Sequence, residues 1–375
     1  MPLAERGYFL GMHDDVHHMR HALRLAGRAL GQTAPNPAVG CVIVTNDGVI
    51  VGRGWTARGG RPHAEAIALQ QAGEAARGAT AYVTLEPCAH HGQTPPCADA
   101  LVQAGIARVV AAVEDPDARV NGRGLARLRE AGVEVESGVC AEEAAEVNAG
   151  FFLRVREGRP LVTLKIAQSI DGRTVTATDD SRWITGEAAR AFGHLMRAKN
   201  DAILVGAGTA LADDPELTCR LPGLEDRSPV RVVLDTRLRL NEWSKLAQTA
   251  HETPTLVFTA QTDGGGALEA CGVEFVRVAR DARGRPKLEA VLAALAARGI
   301  TRLLVEGGAT VHAAFLDRDL ADRLEVFTSP ILLGSAGQGA VESLAALTLG
   351  EAPRFRPLAR RSLGADVLVS YVRGD

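Results

Sequence analysis

The apolar positions in the first half of the chain predict one helix, a hairpin, and then alternating helices and strands. Behind the acidic start at Asp14, apolar residues recur at helical spacing, namely Met19, Leu23, Ala26 and Leu30. The segment 41–55, "CVIVTNDGVIVGRGW", predicts two strands joined by a tight turn at Asn46, Asp47 and Gly48. Helical and extended patterns then alternate to about residue 150, which is typical of a layered α/β domain.

The second half of the chain shows another series of strands and helices. It begins at "LVTLKIAQSIDG" (161–172) and continues through a helix near 186–199, four short strands and the long helix "KLEAVLAALAARG" (287–299). A further strand, a helix and the strand "RLEVFTSPILL" (323–333) follow. Between the two series, charge, glycine and proline accumulate in "RVREGRP" (154–160), as is common at a domain boundary. We therefore predict two independent α/β domains.

Length and charge narrow the class of protein. At 375 residues the chain exceeds what one hydrophobic core usually supports, which agrees with two domains. A formal net charge of −3 provides no broad attraction to nucleic acid or to a membrane surface. The start lacks the apolar run of a signal peptide, and no later stretch approaches the about 18 apolar residues of a membrane span. We therefore expect a cytoplasmic enzyme.

Two cysteines and two histidines crowd into "TLEPCAHHGQTPPC" (84–97), where a disulfide, a metal site and a catalytic thiol are the candidates. The six cysteines of the chain are too few for a disulfide scaffold, and a close pair in a reducing compartment indicates a metal or catalysis. His63 opens a predicted helix, Cys88 ends a predicted strand and Cys97 starts the next helix. Three such ligands suit a tetrahedral zinc ion whose fourth position is open to water. Helix N-termini also favour the thiolate form of a cysteine.

A carboxylate follows two residues after the first of these ligands. Glu65 is placed to take a proton from water on the metal and to return it to a leaving amine. His-x-Glu, then Pro-Cys, then a second Cys is the order found in zinc deaminases of nucleobases, although eight residues rather than two separate Cys88 from Cys97. The alternative is a structural zinc site closed by His90 or His91, but it leaves Glu65 without a role.

The second half contains a weak and a stronger candidate for a phosphate site. "VGAGTA" (205–210) is a glycine cluster without the Gly-x-Gly-x-x-Gly spacing of a Rossmann site. In "VEGGATVHA" (305–313), a strand ends at Glu306, and Gly307 and Gly308 precede a helix whose free backbone N–H groups can bind a phosphate. An ordinary helix start with glycines is the alternative.

Several strings along the chain resemble one known family. "PNPAVGCVIV", "PHAE", "LEPCAHHGQTPPC", "KIAQSIDGRT", "SRWIT", "GAGTALADDPELTCR", "VVLDT" and "VEGGATVHAAF" resemble the bacterial bifunctional riboflavin-biosynthesis enzymes, in which a pyrimidine deaminase is fused to a reductase. The resemblance implies a cytidine-deaminase-like three-layer domain over 13–157 and a dihydrofolate-reductase-like α/β domain over 158–375. It also implies one zinc ion in the first domain and NADPH in the second.

The resemblance further implies which residues form the two sites. Zinc would be bound by His63, Cys88 and Cys97, and Glu65 would be the catalytic proton carrier. NADPH would lie against a set of residues in the second domain: Ala167, Trp183, Thr209, Asp213, Thr236, Gly308, Ala309, Thr310, Val311, His312, Ala313 and Ala314. Substrate would contact Asn36 and His90 in the first domain, and Lys165, Ser181, Arg197, Leu217, Arg220 and Glu306 in the second. Asn36 is equally well explained as a turn residue beside proline.

The implied reactions are a deamination and a reduction of one pyrimidine ribotide. Zinc hydroxide would replace the 2-amino group of 2,5-diamino-6-ribosylamino-4(3H)-pyrimidinone 5′-phosphate by oxygen. NADPH would then reduce the ribosyl group to ribityl, giving 5-amino-6-ribitylamino-uracil 5′-phosphate, with Lys165, Asp213 or Glu306 as the proton donor. Small pyrimidine ribotides are thus the expected partners, with neither nucleic acid nor membrane, and a homo-oligomer stays open.

One position departs from the family pattern, and two other classes of function are alternatives. Gln93 stands where the family often carries Lys or Arg, so it offers the substrate phosphate a hydrogen bond without charge. A tRNA or DNA deaminase would share the zinc motif but usually needs a basic track or stacking aromatics, and aromatic residues are only 4% of this chain. A second half that senses nucleotides without catalysis is the other alternative.

Overall fold

The chain divides after Glu157 into two units, Met1–Glu157 and Gly158–Asp375. The structure is a computed structural model that describes residues 3–90, 95–117, 120–178, 180, 183–261 and 265–374, of which 3–13 by their backbone alone. Within this described part, no helix combines the length and the apolar character that crossing a membrane requires.

The first unit is a mixed five-stranded sheet with helices on both faces. Its strands are β1 (Gly40–Val44), β2 (Ile50–Trp55), β3 (Thr80–Val83), β4 (Arg108–Ala111) and β5 (Glu134–Ser137). Its helices are α1 (Leu3–Ala29), α2 (Ala64–Ala72), α3 (Cys97–Gln103), α4 (Arg123–Glu130), α5 (Ala141–Val147) and α6 (Ala149–Glu157). In the order β2-β1-β3-β4-β5, β1 is antiparallel to both neighbours, whereas β3, β4 and β5 are parallel.

The alternation of side chains along these strands builds two apolar cores. Ile43 of β1 points into one core together with Leu101 of α3 and Leu128 of α4. The next residue back, Val42, points into the other core, which contains Met19 of α1. Successive strand residues face opposite sides of a sheet, so each helix layer covers its own apolar face. The layer with α2, α3 and α4 is the one that carries the predicted metal ligands.

The second unit is a nine-stranded sheet with a separate two-stranded ribbon. Its strands are β6 (Leu161–Ser169), β7 (Arg173–Val175), β8 (Ala202–Gly206), β9 (Val230–Leu234), β10 (Thr255–Thr259), β11 (Glu274–Arg277), β12 (Arg302–Gly307), β13 (Arg323–Ser329), β14 (Gln338–Gly339), β15 (Phe355–Leu363) and β16 (Asp366–Arg373). Its helices are α7 (Glu187–Ala198), α8 (Ala207–Asp213), α9 (Lys245–Gln248), α10 (Gly266–Ala270), α11 (Leu288–Ala297) and α12 (Ala309–Leu316).

Most of the large sheet is parallel. In the order β11-β10-β9-β8-β12-β6-β13-β16-β15, all strands from β11 to β13 run parallel, and the β15–β16 hairpin adds two antiparallel strands at one edge. All five residues of β8 and of β10 are buried, as expected for parallel strands that are covered on both faces. The carboxyl ends of β6, β8, β9 and β12 therefore meet at one edge of the sheet, where α8 and α12 begin directly after β8 and β12.

The predicted α/β class is confirmed, but three elements differ from the sequence pattern. Helix α1 begins at Leu3, well before Asp14. The segment 154–160, predicted as a connection, contains the end of α6, because Phe151 and Phe152 of this helix are buried in the first core. The pattern does not predict β15 and β16, since most residues of β15 are exposed and charged positions interrupt its apolar alternation.

Candidate active sites

Three potential metal ligands converge beside the first sheet. His63 is the N-cap residue of α2, and Cys97 is the first residue of α3. Cys88 lies in the segment that follows β3. Pro96 directs the chain into α3 with an extended conformation, at φ −57 and ψ 141. The two helix starts thus bring partial positive charge to the thiols.

The distances between the ligand atoms fit a zinc ion. Nδ1 of His63 lies 3.3 Å from Sγ of Cys97 and 3.7 Å from Sγ of Cys88, and the three atoms all lie within 4.8 Å of one another. Zinc–ligand bonds of about 2.0–2.3 Å in a tetrahedron place such atoms roughly 3.5–3.8 Å apart. Among the residues that the structure describes, this is the one group of at least three histidine, cysteine or acidic side chains that gathers in this way.

The two thiols have opposite proton affinities. The backbone N–H of Cys97 donates to Sγ of Cys88 over 3.3 Å. The pKa of Cys88 is lowered to about 4, first by the hydrogen bond with the Cys97 thiol and then, against the effect of burial, by the hydrogen bond with His63. The pKa of Cys97 is raised, first by its hydrogen bond to Cys88 and then by burial. The two sulfurs thus compete for a proton when no metal is bound, and a divalent cation would supply the charge that allows both to bind as thiolates.

Glu65 lies buried beside the three ligands, with only 3% of its surface exposed. Burial raises the pKa of its carboxyl group, the charge of His63 works against this shift, and Cys88 adds to it. A raised pKa makes a carboxyl group a stronger base, which favours its acceptance of a proton from water. The position and the proton affinity of Glu65 are therefore those of a general acid–base residue.

The other predicted residues of the first unit, Asn36 and His90, lie outside the ligand group. Nδ2 of Asn36 donates to the backbone carbonyl of Gly59 over 3.4 Å. The Asn36 side chain also packs directly against the backbone of Gly60, because a Cβ at Gly60 would lie only 2.0 Å from that Nδ2. Nδ1 of His90 is buried without a hydrogen-bond partner among the described residues, and His90 is not part of the ligand group. His91 and Gln93 lie outside the described residues.

A buried ion pair stands at the carboxyl end of the second sheet. Glu306 at the end of β12 accepts two hydrogen bonds of 2.8 Å from Nε and Nη2 of Arg197, which lies in the last turn of α7. Nζ of Lys165, on the neighbouring strand β6, lies 3.9 Å from the same carboxylate. Burial works to raise the pKa of Glu306, but the charges of Arg197 and Lys165 bring it down to about 2. Glu306 is therefore an anion at neutral pH.

The same ion pair holds the loop that follows α8. Nη1 of Arg197 donates to the backbone carbonyl of Thr218 over 3.0 Å, and Nδ1 of His194 lies 3.1 Å from that carbonyl. Leu217 is buried with a φ of +55, a backbone conformation that a leucine rarely adopts, so the loop is held by its contacts. Arg220 is about half exposed and donates from Nη1 to Glu216 over 2.8 Å.

Glycines bring the start of α12 close to α8. Gly308 is the N-cap residue of α12, and a Cβ there would lie 3.1 Å from Oγ1 of Thr209. A Cβ at Gly206 would lie 2.9 Å from Cγ2 of Val311. The start of α12 therefore packs closely against α8, where Gly206 and Gly308 have no side chain between the two helices. This contact brings together the two glycine segments that the sequence separates by about a hundred residues.

The remaining predicted residues of the second unit lie on several different elements. Ala167 lies on β6, Asp213 ends α8 and Thr236 follows β9. Trp183 is 68% exposed, with the guanidinium of Arg190 over its ring at 4.8 Å. The predicted run on α12 is Ala309, Thr310, Val311, His312, Ala313 and Ala314, of which His312 is buried with Nδ1 3.1 Å from the carbonyl of Ala340. Ser181 lies outside the described residues.

Sequence reasoning missed two groups that the structure adds to the second site, His194 and the carbonyl of Thr218. His194 lies three residues before Arg197 on α7, so helical spacing places the two on one face. That spacing could have indicated His194. The backbone carbonyl carries no sequence signal.

Comparison with known proteins places both halves of the chain. Residues 12–113 match the family described as cytidine and deoxycytidylate deaminase zinc-binding region, and residues 160–369 match the RibD C-terminal domain. The chain is 42% identical over 369 residues to riboflavin biosynthesis protein RibD of Escherichia coli (strain K12), covering 96% of this chain and 99% of that protein. It is 41% identical over 360 residues to the protein of the same name from Aquifex aeolicus, covering 96% and 98%.

Solved structures of similar proteins superpose on nearly the whole chain. RibD of Acinetobacter baumannii superposes with a TM-score of 0.87 at 39% identity, covering 97% of this chain and 100% of that one. A diaminohydroxyphosphoribosylaminopyrimidine deaminase/5-amino-6-(5-phosphoribosylamino)uracil reductase from Thermotoga maritima superposes with a TM-score of 0.86 at 35% identity and with the same coverage. The chain therefore belongs to the RibD family, the bifunctional zinc-dependent deaminases and NADPH-dependent reductases of riboflavin biosynthesis.

Proposed function

We propose how the residues of this chain divide the two reactions of its family. Residues 13–157 form the deaminase, in which His63, Cys88 and Cys97 hold zinc and Glu65 moves protons. Residues 158–375 form the reductase. The observation that carries the proposal is the convergence of three ligand atoms within 4.8 Å beside a carboxylate that is buried and has a raised pKa.

In the deaminase, the protein residues position the substrate and transfer protons. When bound, zinc acts as a Lewis acid that lowers the pKa of a water molecule. Glu65 accepts a proton from the attacking water and later gives a proton to the departing amino nitrogen, and its raised pKa favours that return. Asn36 and His90 are proposed to bind the pyrimidine ring. Their support is the orientation of the Asn36 amide, which donates to Gly59, and the buried Nδ1 of His90, which has no hydrogen-bond partner among the described residues.

In the reductase, we assign different tasks to the two arginines. Three of the Arg197 nitrogen atoms already donate to Glu306 and Thr218, so Arg197 holds the carboxylate and the loop. Arg220 is half exposed beside Glu216, which suits it to bind the substrate phosphate as a charged donor. Leu217 and Ser181 are proposed to complete the substrate pocket.

The proton in the reduction is proposed to come from Lys165. When bound, NADPH supplies the hydride. Glu306 has a pKa of about 2 and holds no proton to give at neutral pH, whereas the Lys165 ammonium lies 3.9 Å from it. NADPH itself is proposed to bind against Gly308 and Thr209, where two helix starts meet. The other NADPH contacts are proposed to be the residues of the second domain that the family resemblance implies.

We also propose a cytoplasmic location, because all six cysteines are unpaired, as a reducing compartment would leave them.

The test of the two proposed reactions is incubation of the purified protein with the diaminopyrimidinone ribotide, with and without NADPH. Ammonia release is expected in both samples, and loss of the nicotinamide absorbance only where NADPH is present. Absence of ammonia release from the zinc-loaded protein would refute the deaminase assignment.

A further inference from the structure

A buried carboxylate outside the ligand group accepts hydrogen bonds only from backbone amides in the described structure. Glu86 lies two residues before Cys88 and is 4% exposed. Its Oε1 accepts hydrogen bonds from the N–H groups of Gly124 and Leu125, at 2.8 and 3.4 Å. Its Oε2 accepts from the N–H groups of Gly122 and Asp115, at 2.9 and 3.2 Å.

These contacts make Glu86 the cap of helix α4. Gly122 is the N-cap residue of α4 and carries no side chain, so the first N–H groups of the helix have no local acceptor. A carboxylate at this end also interacts favourably with the helix dipole. Glu86 therefore joins the segment that bears Cys88 to the start of α4.

Backbone packing at Gly124 strengthens this join. A Cβ at Gly124 would lie 1.9 Å from the carbonyl oxygen of Pro87, so the first turn of α4 rests directly on the residue before Cys88. One turn further along α4, Nη2 of Arg127 donates to Oδ2 of Asp99 over 2.9 Å. Asp99 lies in the first turn of α3, the helix that Cys97 opens. Helix α4 thus contacts the segments of both cysteine ligands.

We infer that Glu86 is a positioning residue for the zinc ligand Cys88 and that α4 keeps the two cysteines in register. The usual two-residue turn between such cysteines fixes their separation by itself, whereas eight residues separate Cys88 from Cys97 here. A longer connection fixes the ends less tightly, so the register must come from another element. This inference rests on the proposed assignment of the two cysteines as zinc ligands.

The direct variant is Glu86→Gln in the full-length, zinc-loaded protein. Glutamine keeps the shape but turns one acceptor into an NH₂ group that faces backbone N–H donors. The matched control is Tyr82→Phe, which removes the 2.7 Å hydrogen bond from the Tyr82 hydroxyl to the buried Asp15 in the other core of the same unit. Both variants lose buried hydrogen bonds, but only Glu86→Gln loosens the cysteines.

The readouts are the rate at which the chromogenic chelator 4-(2-pyridylazo)resorcinol removes zinc, the thermal midpoint of the metal-free protein, and deaminase kcat and KM. We expect Glu86→Gln to release zinc at least about tenfold faster than wild type, the effect typical of residues that orient metal ligands, with a lower kcat and little change in KM. Tyr82→Phe should lower the midpoint without changing the zinc release rate. Equal release rates in Glu86→Gln and wild type, or equally fast release in the two variants, would overturn the inference.

A milder variant decides the case if Glu86→Gln fails to fold. Arg127→Ala removes a half-exposed side chain and its ion pair with Asp99, and should speed zinc release about two- to fivefold. Unchanged release from that variant would then overturn the inference. Failure of the ligand assignment looks different, because wild-type protein would then hold no stoichiometric zinc, or Cys88→Ser would retain it at the wild-type rate.

Discussion

At the scale of single residues, the two sites use buried carboxylates in opposite ways. Burial raises the pKa of Glu65, whereas two neighbouring cations lower the pKa of Glu306 to about 2, so that Glu306 stays an anion. The first arrangement suits proton transfer, and the second suits holding other groups in place. The sequence alone did not show that the two glutamates differ in pKa, because the cations that lower the pKa of Glu306 come from distant parts of the sequence.

The low pKa of Glu306 predicts an acid-sensitive contribution to stability. The folded pKa of about 2 lies below the ordinary 4.5, so the ionised group stabilises the fold above about pH 4.5, by roughly 3 kcal/mol, and this contribution is lost as the pH falls toward 2. Glu306→Gln lacks it at every pH. The free energy of unfolding in urea, measured between pH 6 and pH 3, should therefore converge for variant and wild type as the pH falls. A constant difference would contradict the shifted pKa.

Gln93 supports a separate prediction about the substrate phosphate. A basic residue at this position would add a charge-assisted hydrogen bond, so Gln93→Lys should lower the deaminase KM by up to about tenfold, equivalent to roughly 1.4 kcal/mol. Gln93→Asn is the neutral control. Initial rates of ammonia release at varied substrate concentration provide the measurement. An unchanged KM in the lysine variant would mean that the phosphate is bound elsewhere.

At the scale of elements, several predicted site residues lie at helix starts. The starts of α2 and α3 hold His63 and Cys97, and the start of α12 meets α8 at Gly308. Sequence patterns predicted these helices well, because apolar periodicity and the flanking glycines and prolines are local. They missed the early start of α1, the helical end of the 154–160 segment and the hairpin β15–β16. The hairpin is held in the sheet by the pairing of β16 with β13, which lies about 40 residues earlier in the chain.

The close contact at Gly308 predicts a glycine requirement for the cofactor. Gly308→Ala would place a methyl group 3.1 Å from Oγ1 of Thr209 and cover the backbone that is proposed to meet NADPH. We expect the dissociation constant for NADPH to rise about tenfold, or roughly 1.4 kcal/mol. Gly266→Ala is the matched control, since a Cβ at that helix start has no neighbour within 4 Å. Nicotinamide fluorescence titration compares them, and equal affinities would place the cofactor elsewhere.

At the scale of the whole molecule, one chain contains two units with their own sheets and their own cores. Composition and the alternation of strands and helices were enough to predict two α/β domains. The grouping of His63, Cys88 and Cys97 was also predictable, because their motif is chemically distinctive. The Arg197–Glu306 pair, the Thr218 carbonyl and the Glu86 cap were not, because each depends on a contact between distant segments.

The central claim is that two independent chemistries reside in two units of one chain, and Glu65→Gln tests it most directly. The substitution keeps the shape of the side chain and leaves His63, Cys88 and Cys97 unchanged, but it removes the carboxyl group that is proposed to move protons. Such groups typically contribute about 10²- to 10⁴-fold in rate.

The measurement is zinc content, ammonia release and NADPH oxidation on one preparation of Glu65→Gln, with the deaminated intermediate supplied for the third assay. The account predicts stoichiometric zinc, deamination reduced at least about 100-fold, and NADPH oxidation near the wild-type rate. Deamination at the wild-type rate, or a parallel loss of both activities, would contradict it.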